Sequence, residues 1–81
     1  MITKEITIAQ KKDSGKIIPL LVQKASQYKS TIHFTADSKT VNAKSIMGML
    51  NFGVVSGATI TAEIDGEDEE EAMNGIVDFL A

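Results

Sequence analysis

The chain contains no cysteine, no tryptophan, one proline and one histidine. Without cysteine there are no disulfides and no thiolate chemistry, and nothing points to an oxidising compartment. No apolar run approaches membrane-spanning length, and Met1-Ile2-Thr3-Lys4-Glu5 lacks the pattern of a signal peptide. The expected location is cytoplasmic, with no membrane partner. A single imidazole and no thiol leave few ways to assemble a nucleophile, a base and an orienting group. The sequence therefore argues against an enzyme.

The 81 residues suffice for one modest core and one domain, 1–81. Their net charge of −3 speaks against direct binding of nucleic acid, which favours concentrated lysine and arginine. Acidic residues crowd into Asp65–Glu71, whereas Lys11, Lys12, Lys16 and Lys24 lie early.

Period-two alternation marks the strands. Ile2, Ile6 and Ile8 alternate with Thr3, Glu5 and Thr7; Ile32 and Phe34 share one face of Thr31–Ala36; Ala58, Ile60, Ala62 and Ile64 share one face of the next clear strand. Asp37-Ser38-Lys39 reads as a turn into a short strand at Thr40–Ala43. Gln10–Gly15 reads as a loop. Pro19 fits the first turn of a helix over about 18–28, with Leu21, Val22, Ala25 and Tyr28 on its apolar face. Ser45 reads as the N-cap of a short helix through Leu50, stopped near Gly53. Asp68 and Glu71 have capping-box spacing ahead of a last helix with Ala72, Ile76, Phe79 and Leu80 on its core stripe. The predicted order is β-α-β-β-α-β-α. It implies an α+β open-faced sandwich: a four-stranded antiparallel sheet with three helices on one face.

Few residues offer chemistry. His33, between Ile32 and Phe34, falls on the outward face of its strand. Glu67, Asp68, Glu69, Glu70 and Glu71 fan around a helix axis and do not converge on one metal ion. Gly53 and Gly57 lack the Lys-Ser/Thr pair of a phosphate-cradling loop. Neither a metal nor a cofactor is expected. The segment Val41–Leu50 differs, because Ile46, Met47, Met49 and Leu50 make its short helix apolar nearly all round. One stripe can face a core; the rest must expose apolar surface, a docking feature to which methionine is suited. Ser45, at the helix start, is physically suited to phosphorylation.

The run Val41-Asn42-Ala43-Lys44-Ser45-Ile46-Met47-Gly48 resembles the regulatory-serine region of the HPr family of the sugar phosphotransferase system, which includes Crh. Leu21-Val22-Gln23-Lys24-Ala25-Ser26-Gln27-Tyr28 and Gly66-Glu67-Asp68-Glu69 extend the resemblance over nearly the whole chain. It implies an HPr-like fold. Family members that carry phosphate have a Gly-Ile-His-Ala-Arg-Pro-Ala type loop, whose histidine accepts the phosphoryl group and whose arginine balances it. Here the corresponding stretch is Asp13-Ser14-Gly15-Lys16-Ile17-Ile18-Pro19-Leu20. Depending on register, Ser14, Lys16 or Ile17 stands at the histidine position, and none can form a phosphoimidazole.

The resemblance thus implies a Crh-like regulatory HPr paralogue without histidine phosphocarrier activity, acting in carbon catabolite regulation. Ser45 would be phosphorylated by HPr kinase. Lys44, Ile46, Met47 and Leu50 would dock a LacI-type catabolite regulator or phosphotransferase-system proteins. The alternative is a docking or decoy component of a sugar-transport system.

Overall fold

The computed structural model describes residues 1–9, 14–53 and 56–81. The element order is β1 (Ile2–Thr7), α1 (Ser14–Ser26), β2 (Thr31–Ala36), β3 (Lys39–Asn42), α2 (Ile46–Phe52), β4 (Thr59–Asp65) and α3 (Glu69–Leu80). The strands form one antiparallel sheet in the order β1-β4-β2-β3. Register puts Ile6 opposite Ile60, Ile32 opposite Ile64, and Phe34 opposite both Ala62 and Val41. Period-two geometry then stacks these side chains on one face, which the three helices cover. That is the open-faced sandwich expected from the alternation.

Ile6, Ile8, Ile32, Phe34, Ile60, Ala62 and Ile64 line the sheet side of the core. Ile17, Ile18, Leu21 and Ala25 come from α1, Met49 from α2, and Ala72, Met73, Ile76 and Leu80 from α3. Each large member contributes roughly 1.5–3 kcal/mol by leaving water. Threonines and His33 occupy the opposite, uncovered face, where cross-strand hydroxyl pairs form between Thr7 and Thr59 and between Thr35 and Thr40, each at 3.1 Å. Asp37 and Ser38 both take positive φ, 50° and 69°, giving the two-residue hairpin between β2 and β3. No helix among the described residues is long and apolar enough to cross a membrane.

Two local expectations are corrected. First, α1 begins at Ser14, so Pro19 is its sixth residue and not part of an opening turn. Its missing N–H forfeits one bond to the preceding turn. Burial of both Ile17 and Ile18 holds the extra turn in place. Residues 10–13 of the expected loop lie outside the described residues.

Second, Asp68 stands at the start of α3 but makes no side-chain cap. Its carboxylate instead accepts the backbone N–H groups of Lys29 and Ser30, each at 2.9 Å, and the buried Ser30 hydroxyl at 2.5 Å. Those donors, the Ser30 hydroxyl foremost, lower its pKa to about 2. Gly66 closes the same corner: a Cβ there would lie 2.6 Å from the Ser30 Cα, and its φ is 155°. The expected capping box is replaced by a tie between the start of β2 and the start of α3.

Candidate functional site

The site is assembled where β3 hands over to α2. Asn42 leaves the sheet and turns the chain through two local bonds. Its side-chain oxygen accepts the Lys44 N–H at 2.9 Å, and its carbonyl accepts the Ser45 N–H at 3.0 Å. Ser45 then adopts extended backbone, and its Oγ accepts the Gly48 N–H at 3.2 Å. This is the N-cap expected from the sequence, and it satisfies one of the free donors of the helix start. Gly48 lets α2 lie close on β3, because a Cβ there would sit 2.7 Å from Val41 Cγ2. At the other end, Gly53 takes φ 75° and returns its N–H to the Met49 carbonyl.

With α2 seated in this way, Met49 is buried, Phe52 is half-buried against the core, and Ile46, Met47 and Leu50 turn outward. Met47 is 70% exposed, Leu50 53% and Ile46 42%. Leu20, on the neighbouring α1, is 42% exposed and was not singled out from the sequence. Its signal was phase: Ile17, Ile18, Leu21 and Ala25 form the inward stripe, and Leu20 falls outside it. Lys44 has a specific partner, since its half-buried side chain donates from Nζ to the Tyr28 carbonyl at 2.6 Å. The residue expected on the docking rim therefore ties the end of α1 to the start of α2, where a cation favours the carbonyl end of the helix.

The three residues of the altered loop, Ser14, Lys16 and Ile17, stand instead in the opening turn of α1. Ser14 opens α1, Lys16 is exposed on its first turn, and Ile17 is 1% exposed within the core. His33 is half-buried on the uncovered sheet face, between Glu63 of β4 and Asn42 of β3 in register. The helices lie on the other side. Among the described residues no group of three or more carboxylates or imidazoles could hold a metal ion.

Residues 2–81 match the family model described as the PTS HPr component phosphorylation site. The chain belongs to the HPr family. The HPr-like protein Crh of Halalkalibacterium halodurans is 38% identical over 81 residues, covering 99% of this chain and 96% of that protein. The crystal structure of phosphocarrier protein HPr from Bacillus anthracis superimposes with a TM-score of 0.94 at 32% identity, covering 99% of this chain and 96% of that one. HPr-C-His from Thermoanaerobacter tengcongensis gives 0.91 at 40% identity, covering 99% and 91%. The Bacillus subtilis catabolite-repression protein Crh, described as a swapped, intertwined dimer, gives 0.74 at 30% identity, covering 98% and 92%. HPr proteins are phosphocarriers of the phosphotransferase system. This HPr-family chain is similar to both the carriers and the Crh type.

Proposed function

We infer that this protein is a Crh-like regulatory HPr paralogue, one domain long, that works through a serine and a docking face and not through a phosphohistidine. The observation that carries the reading is the composition of the α2 surface. A capping hydroxyl, Ser45, stands at the head of a helix whose Ile46, Met47 and Leu50 face solvent, and the α1 packed against it exposes Leu20. A partner can read charge at Ser45 and apolar contact beside it as one epitope.

Three further facts support the loss of the carrier role. The single histidine lies on the uncovered sheet face. The chain contains no arginine to balance a phosphoimidazole. Ile17, at one of the candidate histidine positions, is a core residue. Phosphorylation of Ser45 by HPr kinase adds about −1.5 to −2 charges. A LacI-type regulator with a basic group facing that phosphate, and a pocket for Met47, separates the two states through a charge-assisted contact present in only one.

The test is incubation with HPr kinase and ATP, with the site read by mass spectrometry. Label on Ser45, absent from Ser45→Ala, is the expected result. Calorimetric titration against a LacI-type regulator should then show tighter binding of the phosphorylated protein. Equal affinities would reject the switch, and label on His33 by the phosphoenolpyruvate-dependent first enzyme would reject loss of the carrier role.

A further inference from the structure

On the far side of α2 from its exposed apolar residues, the helix runs back over β3 and leaves a groove. Its walls are Lys39, Thr40, Val41, Gly48, Asn51 and Phe52, and its volume is about 400 Å³. Gly48 approaches Val41 closely within it. Phe52 and Lys39 also line a second, smaller hollow of about 160 Å³. Val41 and Phe52 give it apolar, half-buried walls.

The groove borders an open sheet edge. Among the described residues β3 pairs with β2 and with no other strand. The Ala43 N–H donates to the Ile32 carbonyl at 2.8 Å. Alternation along an antiparallel ladder therefore turns the backbone groups of Lys39 and Val41 toward β2 and those of Thr40 and Asn42 outward. The Asn42 carbonyl is taken by Ser45. The Thr40 N–H, the Thr40 carbonyl and the Asn42 N–H remain for an added strand. Natural sheets leave such edges open sparingly, and an extended segment is the element that completes them.

We propose that the β3 edge and the β3–α2 groove together form a docking site for an extended segment of a partner protein. The segment adds as a fifth strand against Thr40, places an apolar side chain between Val41 and Phe52, and sets a carboxylate two residues along against Lys39. Charge selects this occupant. Among the described residues Lys39 is the only charged one lining the groove, and it makes no ion pair with another of them. A second copy of this chain fits less well. Antiparallel pairing of two β3 edges about Val41 would bring Lys39 opposite Ala43 and supply no carboxylate for it. The site is distinct from the Ser45 surface and does not depend on phosphorylation.

The probe is an end-blocked heptapeptide in which threonines alternate with two valines and one glutamate, so that the three non-threonine side chains share one face. Amide chemical shifts of the whole chain should move at Thr40, Val41, Asn51 and Phe52, and exchange of the Thr40 N–H should slow. Lys39→Glu should weaken binding about two- to fivefold, and a peptide with lysine in place of glutamate should show the reverse preference. Thr40→Pro removes an outward donor that the sheet does not use, so it should abolish binding with the fold retained. Three results would overturn the proposal: no shifts at millimolar peptide, shifts centred on Leu20, Met47 and Leu50, or shifts at β3 that rise with protein concentration alone. The last would identify a second copy as the occupant.

Discussion

Adding one methyl group at Gly48 probes how α2 is held. An ideal Cβ at that position lies 2.7 Å from Val41 Cγ2 and 3.3 Å from Ser45 Oγ. Carbon atoms in ordinary contact stand roughly 3.5–4.0 Å apart, so helix and strand must separate by about 1 Å. Overpacking of this kind costs about 1–3 kcal/mol. Alanine in place of glycine within a helix returns about 0.5–1 kcal/mol. Gly48→Ala should therefore destabilise the protein by about 0.5–2 kcal/mol. Val41→Ala removes the opposing methyl and, from a half-buried site, should cost about 1 kcal/mol. In that background Gly48→Ala should be neutral or slightly stabilising, giving a coupling of about 1–2 kcal/mol. Urea unfolding followed by far-ultraviolet circular dichroism, at constant m-value, measures all four corners of the cycle. For a chain of 81 residues, 1 kcal/mol moves the thermal midpoint by about 4–8 °C, well within resolution. Additive effects, or a stabilising Gly48→Ala in the native background, would show that the close approach does not constrain the helix.

Three further outcomes follow from the packing. The Asp68 carboxyl has a folded pKa lowered to about 2 from 3.8, so its contribution is present in full above about pH 4 and is lost as pH falls toward 2. Asp68→Asn should flatten the dependence of urea midpoint on pH across that window, and an unchanged slope would remove Asp68 from the account. Ile17→His places an imidazole in the core in exchange for a buried isoleucine, so it should cost about 2–5 kcal/mol. It should gain no label from the phosphoenolpyruvate-dependent first enzyme; a stable, labelled variant would contradict the burial of this position. Gly66→Ala should cost more than about 1 kcal/mol, because both its φ and the Ser30 backbone resist a side chain. Thermal melts would detect it, and a wild-type melt would show that the corner is pliable.

The strands were legible because each carries its evidence in period two. Ile60, Ala62 and Ile64 alternate with polar neighbours, and the hairpin follows from Asp37-Ser38 between two such runs. The Ser45 cap, and the exposure of some of Ile46, Met47, Met49 and Leu50, were legible from local chemistry, since a seven-residue helix cannot bury every side; that Met49 is the buried one was not. The start of α1 was not. Pro19 is the strongest local punctuation in its neighbourhood, and the adjacent pair Ile17-Ile18 shows no period of its own. Tertiary burial of that pair outweighed the signal. The capping box failed for a related reason. Asp68 and Glu71 have the right spacing, but the donors that claim the Asp68 carboxylate belong to Lys29 and Ser30, distant in sequence. The tie from Lys44 to the carbonyl of Tyr28 was not legible for the same reason, since its partner lies sixteen residues earlier.

The strand order has a kinetic consequence. The β2–β3 hairpin closes over a two-residue turn, but among the described residues β1 has a single neighbour, β4, and Ile6 meets Ile60 from far along the chain. Closing so long a loop costs entropy before any contact repays it, so this ladder should lag behind the hairpin. Throughout that interval β4 is paired on one side only, through β2, and Ile60 and Ile64 have no β1 neighbours. The buried row of β4 is thus among the last to be enclosed, and the rate-limiting event in folding should be a search by β1 for β4. Mutations at Ile6 should then speed unfolding more than they slow folding, whereas mutations at Phe34, inside the hairpin, should do the opposite.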